Sequence, residues 1–586
     1  MAQNSRLLMQ DPRNRAENPY RNMLLQLRRT FIQVGLFSAA INLLMLTGPI
    51  YMLQVYDRVL SSGSVATLQG LFVIVVILYA FLGIYEFLRS RLLSRASYRL
   101  DSRVGPDAFG YWLRSGIMAG SDRYNPVRDL EITRGFLASP AILGLFDLPW
   151  IPVFLAIVFM IHPWLGYLTL AGAVVVAIVA FLNRAFTQNS IAEAMGLDAK
   201  ERTFVERSRR NAETILSLGM MDKITQRWQK MHEASLAGNQ RGGDRSEMFT
   251  AFSKSFRLLL QSALLTVGAY LAIAQEISPG MIIAASIIAG RALAPVDQVI
   301  GQWRSIGRAN EAHSRLKDAL DSVPPQKPRI ELPPLEGRLT VTKLTKLTPA
   351  QINTTTRARI LDQVSFELMP GDALGVIGNS AAGKSSLARL LVGAWQPDAG
   401  EIRLDGATID QWRPEDLGRR IGYLPQMVEM LPGTIAENIA RFDPAASDAD
   451  IVEAAQIAGV HDMILAMPEG YATEIGTSDH PLSGGQIQRL GLVRALYGSP
   501  KFIVLDEPNS NLDSSGDDAL AQAITTLRGR GSAVIVMAHR PSVIVSVNKV
   551  MVLHKGRVAQ FGPKEEVFRK AMHAAPTPSS VIQKSG

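Results

Sequence analysis

The sequence predicts a two-part chain, an α-helical membrane half of six spans followed by a soluble α/β half. Three observations carry this. The 586 residues exceed what one core holds, since single cores rarely grow beyond about 250–300 residues. Apolar residues make up 47% against 19% charged, and they concentrate before residue 310. Beyond a Pro-rich stretch at 316–336, short apolar runs end in Gly-rich or acidic turns, the pattern of strands feeding helices.

Composition narrows the function classes. With no cysteine there is no disulfide framework, thiolate zinc site or cysteine nucleophile. The net charge of +9 comes from arginines in segments flanking apolar runs, which fits the positive-inside rule better than a nucleic-acid face, so a lipid bilayer and no nucleic acid is expected. Arg6, Arg13, Arg15, Arg21, Arg28 and Arg29 precede the first long apolar run, and no small-residue cleavage site follows it. No cleaved signal peptide is expected.

A hydrocarbon core about 30 Å thick takes about 20 apolar residues per helix. Six stretches qualify: Phe31–Val55, Val65–Leu88, Ile142–Ile161, Trp164–Leu182, Leu258–Ala274 and Met281–Ile300. Residues 1–30 form a cytoplasmic N-terminal segment, and the membrane domain covers 31–315. The long connections Arg89–Ala141 and Asn183–Arg257 are Arg-rich and therefore cytoplasmic. Within them Arg89–Tyr111 and Lys200–Ala237 keep recurring apolar positions, so helices continue past the bilayer with tips near Asn125–Leu137 and Asn211–Leu218. About 25 residues would project about 37 Å, enough to touch a cytoplasmic domain.

Two features inside the spans stand out. Arg291 falls about 11 residues into the sixth span, where a guanidinium costs roughly 2.5 kcal/mol or more. It either lines a polar pathway or snorkels to an interface, with Asn42 and Gln33 as lesser members of the same cavity. The run Phe146-Asp147-Leu148-Pro149-Trp150-Ile151-Pro152 carries two prolines that should bend the start of the third span.

Leu316–Glu336, with five prolines, is the expected linker. The soluble domain is expected at 337–568, with 569–586 as a loose tail. Its centre is Gly378-Asn379-Ser380-Ala381-Ala382-Gly383-Lys384-Ser385-Ser386, after the apolar run Ala373–Ile377 and at the start of a helix. This is a phosphate loop: backbone N–H groups wrap a β-phosphate, the helix N-terminus favours anions, Lys384 reaches β/γ oxygens and Ser385 ligates Mg²⁺. Ala381 is expected in a right-handed conformation, because a left-handed alanine costs roughly 1–2 kcal/mol.

Downstream, Lys501–Pro508 is a buried-strand pattern ending in Asp506 and Glu507. Asp506 at the strand end suits Mg²⁺ through water, and Glu507 suits polarising the water that attacks a γ-phosphate. Between these motifs, Leu482-Ser483-Gly484-Gly485-Gln486 opens a helix and makes a second anion site with no lysine of its own.

These residues resemble the signature loop of the ATP-binding cassette (ABC) family, and the resemblance covers nearly all of 339–568. The fold it implies is an ABC exporter: a six-span α-helical transmembrane domain fused to an α/β P-loop NTPase nucleotide-binding domain. It implies that Ser483–Gln486 of one subunit close on the γ-phosphate held by another, so the working unit is a homodimer binding ATP and Mg²⁺. It assigns Gln426 to the Q-loop, Ser510-Asn511-Leu512-Asp513 to the D-loop and His539 to the switch, with Gln426 sensing Mg²⁺ and His539 meeting the γ-phosphate. The family's adenine-stacking aromatic is missing, since Gly337–Ser365 contains no Phe, Tyr, Trp or His, leaving an aliphatic contact or one from Arg357 or Arg359.

More narrowly, Phe146–Pro152, His162-Pro163 before Trp164-Leu165-Gly166, Gly290–Pro295 and Asp506–Asp513 resemble the inner-membrane component of type 1 protein secretion systems, the exporters of metalloproteases, lipases and repeat-containing proteins. That implies ATP-driven export of an unfolded polypeptide with an uncleaved C-terminal signal. It further implies a periplasmic membrane-fusion adaptor, an outer-membrane channel, and an inner-membrane location with both termini cytoplasmic. About 30 residues before the first span are too few for a papain-like leader peptidase or the extra N-terminal domain of haemolysin-type exporters. The alternative is a lipid or drug flippase with the same motor, which would need no adaptor and respond to amphiphiles. A soluble regulator carrying the same motifs is opposed by six bilayer-length spans.

Overall fold

The computed structural model describes residues 19–117, 125–321, 332–348, 357–476, 482–510, 512, 514–538 and 544–574. The chain divides into two compact units, Met1–Gln326 and Lys327–Gly586.

The first unit is helical. Among the described residues six helices are long and apolar enough to cross a membrane: Tyr20–Ser62, Val65–Ser115, Pro140–Ile161, Pro163–Arg210, Met221–Ile273 and Pro279–Gly301. Three of them have 51, 48 and 53 residues, more than twice what a bilayer takes, so Arg89–Tyr111 and much of Lys200–Ala237 continue their spans as expected. A short helix at Ala212–Ser217 and a left-handed Gly219 turn the chain back between the fourth and fifth helices. Pro126–Leu137, expected only as a tip, is a full helix capped by the Asn125 side chain.

The first helix begins at Pro19, twelve residues before the expected Phe31, so residues 19–30 are already helical. Tyr20, Met23 and Leu27 recur on one face and pack with Leu93, Leu100, Leu316 and Leu320, while Arg21, Arg28 and Arg29 point outward. The same core corrects the linker: helix Trp303–Asp321 runs through its expected start at 316, because Leu316 and Leu320 are buried. The third span is broken as its prolines demand, with helix Pro140–Asp147, a 3₁₀ turn Leu148–Trp150 and helix Ile151–Ile161.

Among the described residues the second unit has two large sheets and a small two-stranded one that pairs Gly433–Thr434 with Glu474–Ile475. A parallel core places the strands in the order Lys549–His554, Ala373–Ile377, Ala533–Met537, Phe502–Asp506, Ile421–Leu424, and Arg557–Pro563 pairs antiparallel at one edge. Phe502–Asp506 and Ala533–Met537 are buried throughout, which is why they read as unbroken apolar runs. The second large sheet is four-stranded and antiparallel, ordered Arg359–Leu368, Leu339–Leu347, Ala399–Leu404, Ala407–Thr408. Helix Lys564–Ala574 runs past residue 569, the expected start of the tail, and has its two glutamates in the first turn, where they favour the helix dipole.

Candidate functional site

The candidate site lies at the carboxyl ends of the parallel strands, where open α/β sheets bind ligands. Strand Ala373–Ile377 delivers Gly378, and Asp506 pairs with Met537 at the ends of their own strands. Gly378 is required by close approach, since a Cβ would lie 2.3 Å from the Leu553 carbonyl oxygen. Gly383, at φ 103°, is the residue before helix Lys384–Leu391, where a Cβ would meet Leu361 at 2.8 Å.

Ala381 corrects the sequence expectation. It is left-handed, at φ 63°, not right-handed. The turn closes through an Ala382 N–H bond to the Asn379 carbonyl, and the Ala382 carbonyl accepts from Gly556 N–H. Those fixed ends outweigh a cost of roughly 1–2 kcal/mol for the alanine. Asn379, Ser380 and Ala381 are exposed, Ala382 and Gly383 are buried, and Ser386 is half-buried in the first helical turn.

The charged groups converge. Lys384 is buried and its Nζ donates to the Gly378 carbonyl at 2.7 Å and the Asn379 carbonyl at 3.3 Å. Burial lowers its pKa, while Glu507 and Asp506 oppose the shift. Ser385 Oγ donates to Asp506 Oδ1 at 3.2 Å. Asp506 is 1% exposed; burial raises its pKa, the Ser385 bond opposes this, and the neighbouring Glu507 charge adds to it. Gln426 Nε2 donates to Glu507 Oε2 at 3.0 Å. Lys384, Ser385, Gln426, Asp506 and Glu507 therefore occupy one place.

Glu507 is the second left-handed non-glycine of the site, at φ 52°. Its N–H donates to the Met537 carbonyl at 3.1 Å, and its carbonyl accepts from Ser510 N–H at 3.3 Å and from Gln488 Nε2 at 3.3 Å. Gln488 was not singled out in the sequence. Its only signal there is an amide on a helix otherwise packed through Leu490, Val493 and Leu496.

Ser483, Gly484, Gly485 and Gln486 start helix Gly484–Leu496 through a capping box: Gln486 N–H donates to Ser483 Oγ and Ser483 N–H to Gln486 Oε1. Ser483 and Gly484 are exposed, and among the described residues this loop makes no hydrogen bond to the phosphate loop. Asn511, Asp513 and His539 lie outside the described residues. Arg359 pairs with Asp362 at 2.8 Å, and Arg557 shares that carboxylate. Its guanidinium is thus already engaged within the small sheet.

Comparison with known proteins agrees with both halves. The chain matches the family model "ABC transporter transmembrane region" over residues 31–293 and "ABC transporter" over residues 361–510. It is 43% identical over 548 residues to the type I secretion system ATP-binding protein PrsD of Rhizobium meliloti (strain 1021), covering 93% of each chain. It is 28% identical to the alpha-hemolysin translocation ATP-binding protein HlyB of Escherichia coli O157:H7, covering 93% of this chain and 77% of that one. A solved structure of a bacterial Atm1-family ABC exporter with ATP bound superposes with a TM-score of 0.78 at 22% identity, covering 94% of this chain and 99% of that one, and shows the shared fold. With its membrane and ATP-hydrolysing regions on one polypeptide, the chain belongs to the ABC transporter family.

Proposed function

We propose that the chain is the ABC component of a type 1 secretion system, using ATP hydrolysis to export a protein. The observation that carries this is the 43% identity to a type I secretion ATP-binding protein over 93% of both chains, membrane half included. The cargo is an unfolded polypeptide with a C-terminal signal. The chain works as a homodimer in the inner membrane, termini cytoplasmic, with a periplasmic adaptor and an outer-membrane channel.

The site residues take the following roles. Backbone N–H groups of Gly378–Ser386 hold the ATP phosphates, and Lys384 exchanges its bonds to the Gly378 and Asn379 carbonyls for phosphate oxygens. Ser385 and Asp506 supply a hydroxyl and a carboxylate 3.2 Å apart, hard oxygen donors that fit Mg²⁺ together with substrate phosphates. The ion, when bound, offsets phosphate charge. Glu507 accepts the proton of the attacking water, and Gln426 holds that carboxylate in place from 3.0 Å and adds a side-chain oxygen for the ion. Ser483–Gln486 of a second copy close on the γ-phosphate, with His539 and Asp513 completing the site from the motifs Met537–His539 and Ser510–Asp513.

Two experiments test this. Comparing secreted proteins with and without the chain should reveal a missing protein whose C-terminal segment binds the transporter; an unchanged medium favours the flippase reading. Glu507→Gln should bind ATP with little change yet lose steady hydrolysis, and sustained turnover by that variant removes Glu507 from the role.

A further inference from the structure

The Gln488 side chain is 2% exposed, and its Nε2 donates to two successive carbonyl oxygens, Glu507 at 3.3 Å and Pro508 at 3.1 Å. Both carbonyls lie just C-terminal to the Glu507 Cα, in the turn that aims its carboxylate. The Glu507 backbone sits at φ 52°, a conformation that persists in a residue with a Cβ only when its surroundings fix it. On one side the N–H is tied to the Met537 carbonyl. On the other, the carbonyl accepts from Ser510 N–H within the turn and, from outside it, from the Gln488 side chain, one turn inside helix Gly484–Leu496, whose first residues form the exposed Ser483–Gln486 loop.

We infer that Gln488 is a positioning residue for ATP hydrolysis: it locks the left-handed turn at Glu507 and ties the orientation of that carboxylate to the helix carrying Ser483–Gln486. This rests on the proposed role of Glu507. In a homodimer the loop at the head of this helix meets the nucleotide held by the second copy, while Gln488 steers the carboxylate serving the chain's own nucleotide. Each site then reports on the other through one short helix. Rigid helical geometry carries any shift of the Ser483 end directly to Gln488, four residues beyond Gly484.

The test uses the full chain reconstituted in lipid. Gln488→Met keeps the volume and removes the donor. It should lower kcat on the order of ten- to a hundredfold with KM within about twofold, because binding is intact and only the carboxylate's aim is lost. ATP should accumulate unhydrolysed on the variant, as on Glu507→Gln. Gln488→Glu adds a readout that simple loss of packing cannot give. Its protonated carboxyl still donates a hydrogen bond and its carboxylate cannot, so its rate relative to the parent should fall as pH rises. Parent-like kcat in Gln488→Met, with Glu507→Gln inactive, overturns the inference alone. A flat pH ratio for Gln488→Glu, or parallel loss of ATP affinity and rate in both variants, also overturns it. Hydrolysis by Glu507→Gln overturns the underlying reading instead.

Discussion

Arg89 Nη1 lies 3.0 Å from Asp147 Oδ1, with the two side chains only 7% and 14% exposed. Ser38 hydrogen-bonds the same carboxylate oxygen, and Asn42 Nδ2 reaches it at 2.9 Å, so three helices share one polar knot. The knot sits at the end of the apolar stretch Val65–Leu88, beside the break in the third span. The buried Asn42 amide is thereby engaged with Asp147.

Removing one partner strands a charge. Asp147→Ala should cost about 3–5 kcal/mol, since Arg89 would remain buried without its counter-ion. Its Nε already has no hydrogen-bond partner among the described residues. Replacing both, Arg89→Met with Asp147→Leu, should recover most of the loss. Thermal unfolding in detergent distinguishes the two: if the double variant melts no higher than Asp147→Ala, the charge-stranding account fails.

Ala381→Gly addresses backbone strain. Glycine removes the left-handed cost of roughly 1–2 kcal/mol but adds unfolded-chain entropy of about 0.4–1 kcal/mol. A net gain of about 0.5–1 kcal/mol is expected, seen as a small rise in the melting temperature without nucleotide. A fall in melting temperature would show that the φ of 63° is not strained.

Both cases mark where the sequence stops being legible. The six spans, the Gly-rich loop between strand Ala373–Ile377 and helix Lys384–Leu391, and the break at Pro149 and Pro152 are readable because each rests on neighbouring residues. The left-handed Ala381 is not, because its conformation is imposed by a loop closed onto Gly556, 175 residues beyond Ala381 (556 − 381). Asp147 looked like part of a proline kink, and only folding brings it to Arg89, 58 positions away. Gln488 has no motif of its own that separates it from a solvated helix position. The buried face of Tyr20, Met23 and Leu27 was hidden among arginines that the helix turns outward.

Asp506 should trade stability for function. Its folded pKa is raised above the unfolded value, chiefly by burial, so the folded state holds its proton more tightly. The group's contribution to stability is fully present below the unfolded pKa and is lost as pH rises through the folded one. At neutral pH the carboxylate is therefore a cost that Asp506→Asn removes. The variant should melt at a higher temperature than the parent without nucleotide, with the gap shrinking in acid, and should lose Mg²⁺-dependent hydrolysis. A lower melting temperature at neutral pH contradicts the sign.

Arg291 is a second charge on the sixth span, beside Asp297, which is paired with Arg257 at 3.2 Å. Its side chain is exposed in the single chain, and Nη1 lies 3.8 Å from Met45 Sδ, at the break between helices Pro19–Leu44 and Thr47–Gln54. A thioether is a weak acceptor and does not neutralise a guanidinium. Facing lipid at that depth would cost roughly 2.5 kcal/mol or more, whereas facing water or a second copy costs little. The two situations give opposite responses to Arg291→Leu. If the residue lines a polar route, export drops several-fold while ATP hydrolysis without cargo stays near the parent rate, and Arg291→Lys keeps most of the transport. If it faces lipid, Arg291→Leu melts higher and exports normally. The helix break beside it favours the first: among the described residues Met45 and Leu46 form a turn within the first span, and irregular backbone at membrane depth is tolerated where it is covered by protein or lines water.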